Sequence, residues 1–246
     1  MTNRNTAGTS STRTEVAMAD QSTRIQALDA SAEVRAPETG AQIRVGVMGS
    51  AAHEIEPAIA ESCRRLGQAI AASGCCLLTG ACPGIPHAVV RAARTAGGHV
   101  VGISPASSLK EHVELYDSPY REYDVLIFTG LGLMGREIIN IYSSDIVLVV
   151  GGQSGTLGEF AIAYEQGKLI GVLSGTGGIT TALPALEASL NKKTGAEVIY
   201  DLEPEVLVER LLARFRSADY ACPCYPTSLR GHASVSSWSA GDRRLG

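Results

Sequence analysis

The run GGQSGTLGE, residues 151–159, combines glycines, hydroxyl side chains and one carboxylate within nine positions. It follows an apolar segment and opens a segment of helical period. The free N–H groups and the dipole of a helix N-terminus attract an anion, and glycine lets the backbone approach a ligand closely. The run therefore predicts a phosphate-binding loop, whose members are Gly151, Gly152, Ser154, Gly155 and Thr156.

Glu159 closes this run, and two interpretations of it stay open. The residues Thr156-Leu-Gly-Glu159 match a capping box, in which Thr156 is the N-cap and Glu159 bonds back to the chain. Alternatively, the carboxylate lies beside a bound phosphate, where it acts as an acid–base group or binds a sugar hydroxyl. The two interpretations are compatible.

Arg136 opens another predicted helix, where a cation opposes the helix dipole. An anionic ligand or a nearby carboxylate would explain its position. We therefore predict a functional role for Arg136, whereas its neighbour Glu137 also suits an ordinary first helical turn.

Further glycine-rich loops follow other predicted strands, and they add Gly49, Ser50, Gly80, Gly84, Gly130 and Gly132 to the predicted phosphate or nucleotide site. In an open parallel sheet, ligands bind beyond the carboxyl ends of the strands, where the strand order reverses. The run GLGLMG (130–135) also matches the dinucleotide fingerprint. It follows the fourth strand rather than the first, and no acid stands about twenty residues later, so a dinucleotide-dependent oxidoreductase is the third-ranked hypothesis.

Short apolar runs alternate with segments of helical period, which predicts βα units: an α/β, Rossmann-like, doubly wound parallel sheet of about seven strands with helices on both faces. The predicted strands are 43–49, 75–80, 99–104, 124–130, 145–152, 168–173 and 197–200. The predicted helices lie near 55–73, 85–96, 134–143, 156–166, 180–192 and 204–216. In the third of these helices, we expect Met134, Ile138 and Ile141 to face inward.

The ends of the chain lack sustained apolar periodicity, so we expect a disordered leader at 1–42, one domain at 43–218 and a flexible tail at 219–246. A net charge of -4 and a pI near 5.8 argue against nucleic acid or an anionic membrane as the main partner. No apolar run reaches the ~18 residues of a spanning helix. We expect a cytoplasmic protein with free thiols; an organelle address in the Ser- and Thr-rich leader is the alternative.

The order of these motifs resembles the LOG-like (LONELY GUY-like) family of Rossmann proteins, formerly labelled lysine decarboxylase-like. The resemblance covers roughly residues 43–216 and is carried by MGREIINIYSSDIVLVVGGQSGTLGE (134–159) and TGACPGIPHAVVRAA (79–93). It implies a phosphate-binding loop at 151–156 and catalytic or ligand-binding roles for Arg136 and Glu159. Family enzymes hydrolyse the N-glycosidic bond of cytokinin nucleoside 5′-monophosphates and are typically homodimers.

Two departures from the family pattern keep the reaction open. The family enzymes have Arg-Lys where this chain has Arg136-Glu137, and two acids where it has Gly158-Glu159. The resemblance therefore implies either a nucleoside 5′-monophosphate phosphoribohydrolase or a carrier or sensor of a nucleotide-like ligand, such as the molybdenum cofactor, without turnover. We expect a small phosphate-bearing ligand as partner, a homodimer, and no bound cofactor or metal, because no metal-ligand spacing occurs among the histidines and cysteines.

Overall fold

The computed structural model describes residues 42–190, 192–217 and Tyr220. The predicted leader lies outside these residues except for Gln42. Of the predicted tail only Tyr220 is described, and it is buried, with its ring 5.8 Å from that of Phe215. No helix within these ranges is long and apolar enough to cross a membrane.

Seven parallel strands form one sheet in the order β4-β3-β2-β1-β5-β6-β7. They are β1 Arg44–Gly49, β2 Cys76–Thr79, β3 His99–Ser104, β4 Val125–Phe128, β5 Ile146–Val150, β6 Leu169–Leu173 and β7 Glu197–Asp201. This confirms the predicted fold class and each predicted strand. The chain adds strands outward from β1 to β4 and then returns to place β5 on the other side of β1, so the order reverses between β1 and β5.

Seven α-helices and one short 3₁₀ helix accompany these strands in the described part of the chain. They are α1 Pro57–Ala72, α2 Ile85–Thr95, α3 Leu109–Glu114, α4 Gly132–Ser143, α5 Ser154–Glu165, the 3₁₀ helix Gly178–Thr181, α6 Leu183–Ser189 and α7 Pro204–Arg216. α1 and α2 begin with proline in the first turn, as expected where the backbone N–H has no helical partner.

The two faces of the sheet are covered by separate apolar cores. One core joins the sheet to α1, α2 and α7 and includes Leu66, Val89 and Leu211. The other joins it to α4, α5 and α6 and includes Ile141 and Phe160. β5 and β6 are buried along their whole length, because helices cover both of their faces.

The motif Ser144-Asp145, at the start of β5, has a structural role. The Asp145 carboxylate accepts hydrogen bonds from the Arg44 backbone N–H at 2.8 Å and from Arg44 Nη2 at 2.6 Å. The Ser144 carbonyl accepts a bond of 2.7 Å from Lys168 Nζ. These contacts lie at the amino ends of the central strands, away from the edge where a ligand is expected.

The predicted inward face of α4 is wrong in two of its three residues. Met134 is 72% exposed and Ile138 is 43% exposed, whereas Ile141 is buried as predicted. The face that packs inward carries the polar side chains Arg136, Glu137 and Asn140 instead. α4 is therefore turned with charged groups toward the protein and apolar groups toward solvent.

The capping-box interpretation of Thr156 and Glu159 is wrong, although the predicted start of α5 at 156 lies within two residues of the observed one. α5 begins at Ser154 with Gln153 as N-cap and no side-chain capping bond, so Thr156 is not the N-cap and no capping box forms. The reason is Gly152, whose φ of +88° turns the chain into the helix earlier than a Thr156 cap would. Glu159 consequently lies inside the helix, free for another role.

α3 was not predicted from sequence. It is a six-residue helix in which the Ser108 hydroxyl accepts a bond from the Glu111 backbone N–H. Ser108-Leu-Lys-Glu111 has the capping-box spacing, so the signal was present. The element is shorter than an apolar periodicity can reveal.

Candidate ligand-binding site

Loops from the two central strands meet where the strand order reverses. The backbone N–H of Ile85, at the start of α2, donates to the Ser50 carbonyl at 2.9 Å. A Cβ atom at Gly84 would lie 2.3 Å from that same oxygen, and one at Gly49 would lie 2.6 Å from the Val150 carbonyl. These two predicted glycines therefore serve close backbone packing at this seam.

The loop after β5 is shaped by positive φ angles of 56° at Gly151 and 88° at Gly152. The Gly151 N–H donates to Thr176 Oγ1 at 2.8 Å, so it is already occupied by the protein. The N–H groups of Ser154, Gly155 and Thr156 lie in the first turn of α5, where no helical acceptor is available to them. These three groups are among the donors that the loop can offer to an anion.

An open cavity of about 190 Å³ lies beside this loop and is lined by Ser50, Gly152, Gln153 and Thr176, among others. Glu54 and Glu56 also border it. Their carboxylates can accept hydrogen bonds from hydroxyl or amino groups and would repel a second anion. The cavity therefore suits a polar group that carries hydrogen-bond donors.

The Arg136 guanidinium lies directly over Gly80, at the end of β2. A Cβ atom at position 80 would lie only 1.8 Å from Arg136 Nη1, which no real side chain permits. Gly80 was predicted as a ligand-binding residue, but in the structure it makes room for Arg136. The guanidinium is 7% exposed, and its Nε has no hydrogen-bond partner.

Arg136 and Glu159 come together between α4 and α5, as the sequence motifs suggested. Arg136 Nη1 and Glu159 Oε1 are 3.6 Å apart, and both side chains are more than nine-tenths buried. Burial raises the pKa of the Glu159 carboxyl to about 7; Arg136 opposes this rise and Glu137 adds to it. Glu159 can therefore exchange its proton near neutral pH, as a general acid–base group must.

Glu137 lies against the first turns of α5. A Cβ atom at Gly155 would lie 3.7 Å from its Oε1, and one at Gly158 would lie 3.7 Å from its Oε2. The residue is 7% exposed, and Oε2 has no hydrogen-bond partner. Burial raises the pKa of this carboxyl too. Buried polar atoms without partners are rare in native proteins, so a ligand group or an ordered water molecule is expected to meet this one.

Other polar side chains line the same region and were not singled out in the sequence. Asn140, fully buried on α4, donates to Met48 Sδ at 3.2 Å, while its Oδ1 has no partner. Burial raises the pKa of the Cys82 thiol to about 11, and the charges of Arg136 and Glu159 reach it. Cys82 therefore stays protonated at neutral pH and is a poor nucleophile. Of these two residues, only Cys82 lies in a glycine-rich loop of the sequence (79–84), which could have marked it as a candidate site residue.

The structure does not bring Gly130 and Gly132 to the 151–156 loop. The Gly130 N–H donates to the Ala106 carbonyl at 2.9 Å and the Gly132 N–H to the Pro105 carbonyl at 3.1 Å, so both belong to the loops of β3 and β4. β4 is the edge strand, four positions from β5, or about 19 Å at the usual strand spacing. Within the described ranges, no three His, Cys, Asp or Glu side chains cluster as a metal site requires.

A doubly wound sheet with glycine loops and buried charges at its switch point defines a Rossmann-like ligand-binding protein. Residues 42–208 match the model of the SLOG cluster4 family, and the chain belongs to that family. An uncharacterized protein of Archaeoglobus fulgidus is 33% identical over 129 residues, which cover 52% of this chain and 78% of that protein.

Several solved structures share the fold at similar sequence identity. The X-ray structure of TM1055 is 27% identical with a TM-score of 0.62 and covers 70% of this chain and 99% of its own. The molybdenum cofactor binding protein of Rippkaea orientalis is 28% identical with a TM-score of 0.57, covering 71% and 98%. The molybdenum cofactor carrier protein of Chlamydomonas reinhardtii is 29% identical with a TM-score of 0.55, covering 70% and 99%.

The DNA processing protein A of Helicobacter pylori, described as binding single-stranded DNA, also resembles this chain. Its identity is 16%, its TM-score is 0.51, and the match covers 70% of this chain and 80% of that one. At this identity the likeness shows the fold alone.

Proposed function

We propose that this protein binds a small nucleotide-like ligand, with a phosphate at the N-terminus of α5 and polar groups toward Arg136, Glu137 and Glu159. The observation that carries the proposal is the set of buried polar atoms that lack partners: Arg136 Nε, Glu137 Oε2 and Asn140 Oδ1. They lie on the inner face of one helix beside Glu159. Leaving each unpaired costs about 1–3 kcal/mol or more, which a ligand bearing both donors and acceptors would recover.

The function that the site supports best is that of a carrier or sensor of this ligand, without turnover. Glu137 places a carboxylate beside the proposed phosphate site. This negative charge weakens the binding of inorganic phosphate and favours ligands that carry a hydrogen-bond donor next to their phosphate. Two similar structures are named as molybdenum cofactor binding or carrier proteins. The molybdenum cofactor combines a phosphate with a donor-rich pterin, so it is a ligand of the right chemistry.

The second candidate is a phosphoribohydrolase, and the Arg136–Glu159 pair favours it. In this reaction water adds to C1′ of the ribose 5′-phosphate, the N-glycosidic bond breaks, and the base leaves with a proton. Glu159, with a pKa of about 7, can supply or remove that proton. Arg136 would orient the substrate through its unpartnered Nε.

The same proposal places the protein in the cytoplasm, acting on a small molecule rather than on nucleic acid, and as a homodimer. Buried, unpaired thiols such as Cys63 and Cys75 suit a reducing compartment. Burial raises the pKa of both thiols, Cys63 to about 12 and Cys75 to about 11, which keeps them unreactive.

The test of binding is native mass spectrometry of the freshly purified protein, followed by thermal shift with AMP, GMP and inorganic phosphate at millimolar concentration. A ligand at 100 times its Kd stabilises the folded state by about 2.7 kcal/mol. We expect the nucleotides to raise the melting temperature in the wild type and not in Arg136→Gln. Arg64→Gln, on the exposed face of α1, is the matched control. No copurified ligand and no shift with any nucleotide would contradict the proposal.

The test of turnover is incubation with a panel of nucleoside 5′-monophosphates and chromatography of the free base. A carrier binds without releasing base. A hydrolase releases it, and Glu159→Gln then abolishes the release while the protein still binds the nucleotide. Release that survives Glu159→Gln would contradict the assignment of Glu159 as the proton-exchanging group.

A further inference from the structure

The loop that follows β6 packs against the loop that follows β5, and the sequence did not mark it as part of the site. We call residues 174–179 the β6 loop and residues 151–156 the β5 loop. Thr176 and Gly178 of the β6 loop line the same cavity as Gln153 of the β5 loop. The β6 loop therefore forms one wall of the proposed ligand site.

The Thr176 side chain joins the two loops through its hydroxyl group. Thr176 Oγ1 donates to the Leu173 carbonyl at 2.6 Å and accepts from the Gly151 N–H at 2.8 Å. A hydroxyl has one proton and a carbonyl can only accept, so a lone pair of the hydroxyl oxygen remains for Gly151. Thr176 is buried, and water therefore has little access to these bonds. The hydroxyl thus fixes the direction in which the Gly151 N–H points.

The backbone of the β6 loop makes a second link to the β5 loop. The Ile179 N–H donates to the Gly152 carbonyl at 2.8 Å. The peptide bond between Gly152 and Gln153 is trans, so the Gln153 N–H points in the opposite direction to that carbonyl, away from the β6 loop. Within the described part of the chain this N–H has no acceptor. It is therefore one more donor available to a ligand, directly before the first turn of α5.

The close contact between the loops depends on a glycine at position 178. Its φ is +58°, and a Cβ atom there would lie 2.2 Å from the Gly152 carbonyl oxygen. Gly74, at the end of α1, has a similar φ of +69°, but a Cβ atom there would meet no other atom within 4 Å. A side chain at either position strains the backbone. Only at Gly178 would it also push the β5 loop out of place.

We propose that Thr176 is a positioning residue for the phosphate group of the ligand. It holds Gly151, and with the Ile179 bond it keeps the N–H groups of residues 153–156 oriented before the ligand arrives. Donors that are already ordered bind more tightly, because less conformational freedom is lost on binding. Thr176 should therefore affect the affinity for every phosphate-bearing ligand alike. The inference rests on the ligand binding proposed above, and it names the element that shapes the site.

The experiment measures the affinities of AMP, GMP and inorganic phosphate by isothermal titration calorimetry for the wild type, Thr176→Val and Thr176→Ser. Valine has the shape of threonine without the hydroxyl, whereas serine keeps it. We expect Thr176→Val to bind all three at least about tenfold more weakly, because Gly151 loses its acceptor, and Thr176→Ser to recover most of the affinity. The matched control is Thr129→Val, which removes a similar hydroxyl bond, 2.7 Å from the Ser104 carbonyl, outside the two loops. It should keep the affinity of the wild type.

A second pair of variants changes the same contact without removing the hydroxyl. Gly178→Ala displaces the Gly152 carbonyl and should also weaken binding at least about tenfold. Gly74→Ala introduces a similar backbone strain away from the site and should leave the affinities unchanged. If Thr176→Val fails to fold, this pair decides. Hydrogen exchange of the wild type requires no variant: bound AMP should slow exchange in both loops, because the Gly151 and Ile179 N–H groups exchange only when the loops separate.

The results separate this inference from the binding proposal. A wild type that binds none of the three ligands overturns both. A wild type that binds them while Thr176→Val binds equally well overturns the role of Thr176 alone. Equal losses of affinity in Thr176→Val and Thr129→Val, or in Gly178→Ala and Gly74→Ala, indicate general destabilisation and overturn it too. So does exchange that AMP slows in the β5 loop but not in the β6 loop.

Discussion

Arg136 and Glu159 form a buried ion pair whose closest atoms are farther apart than in a hydrogen-bonded ion pair. Their closest atoms are 3.6 Å apart, and no hydrogen bond between them accompanies the contact. A buried pair repays the loss of hydration only if its geometry is good and its remaining polar atoms are satisfied. Here the guanidinium Nε has no partner, so we expect the pair to cost stability until a ligand completes it.

Replacement of Glu159 by glutamine should reveal this loss of stability, because the difference in the free energy of unfolding between variant and wild type should depend on pH. The pKa of Glu159 is raised to about 7 in the folded protein by burial, so the folded state binds this proton more tightly than the unfolded chain does. Stability from this group therefore falls as pH rises from about 4.5 to about 7. We expect Glu159→Gln to be more stable than the wild type by about 3 kcal/mol at pH 8 and by under about 1 kcal/mol at pH 5.

Urea unfolding at the two pH values measures this difference, with Glu209→Gln on the exposed side of α7 as the control. The expected gain in stability has the opposite sign to the effect of removing a helix cap. Removal of a cap costs about 1 kcal/mol of stability at every pH at which the cap forms. The expected gain is also opposite in sign to the effect of disrupting a tight buried ion pair, which costs about 3–5 kcal/mol. If the Glu159→Gln variant is less stable than the wild type at pH 8, the Arg136–Glu159 pair does not cost stability in the free protein.

Glu137 should determine which anions the site accepts. Its carboxylate lies against Gly155 and Gly158, within the first turns of α5, where a phosphate would bind. Two like charges about 5 Å apart repel by about 3 kcal/mol at an effective dielectric constant of 20. We expect Glu137→Lys to bind inorganic phosphate at least about tenfold more tightly than the wild type, as measured by isothermal titration calorimetry.

The control for this change is Glu209→Lys, which alters the net charge equally but lies away from the site. If both variants gain phosphate affinity alike, the effect is one of overall charge. If neither gains, Glu137 does not face the bound phosphate and the proposed site at α5 is misplaced.

Among the elements, β2 and α4 depend on each other through one glycine. The Arg136 guanidinium occupies the space where a side chain at position 80 would begin. We expect Gly80→Ala to displace Arg136 from Glu159 and to abolish nucleotide-induced thermal shift. The protein should also lose about 1–3 kcal/mol of stability, the usual cost of overpacking.

The matched control is Gly158→Ala on α5. A Cβ atom there meets only Glu137 Oε2, at an ordinary contact distance of 3.7 Å. Alanine also suits a helix interior better than glycine, by up to about 1 kcal/mol. We therefore expect Gly158→Ala to keep or gain stability in thermal unfolding. Equal losses in the two variants would show that Gly80 has no special relation to Arg136.

The strands were predictable because a strand covered on both faces is apolar along its length, as in β5. The inward face of α4 was not predictable, because the use of apolar periodicity assumes that apolar side chains face the protein's own core. On this helix Met134 and Ile138 face out and Arg136 and Glu137 face in. The charges that face inward agree with the ligand proposed above, and periodicity alone does not reveal that the polar and apolar faces of a helix are exchanged.

The start of α5 shows a different limit of prediction from the sequence. Thr156 and Glu159 have the right spacing for a capping box, yet the positive φ of Gly152 starts the helix at Ser154. A backbone angle of this kind is permitted by glycine but is not dictated by it. Arg136 and Glu159 were predicted to share a site, and the structure brings their side chains to 3.6 Å from each other. The part played by Gly80 could not be foreseen, because it depends on where a distant side chain is placed.

At the scale of the whole molecule, the order β4-β3-β2-β1-β5-β6-β7 puts the proposed ligand site at the boundary between two halves of the sheet. Residues from β1, β2 and α2 supply one side, and β5 and α5 supply the other. α4 crosses from the edge strand back to this boundary and so joins the halves. A parallel sheet of this kind needs crossover connections, and here the one that passes the most strands, from β4 to β5, carries Arg136 and Glu137.

That boundary also determines when the site can form during synthesis. Arg44 at the start of β1 bonds to Asp145 at the start of β5, 101 residues later. A ribosome adds about 5–20 residues per second, so β1 waits on the order of 5–20 s for its central neighbour. During that interval β1 has an open edge. The proposed ligand site should thus form only after β5 and α5 have been synthesised, and a ligand present in the cell would meet it only once translation is well past β5.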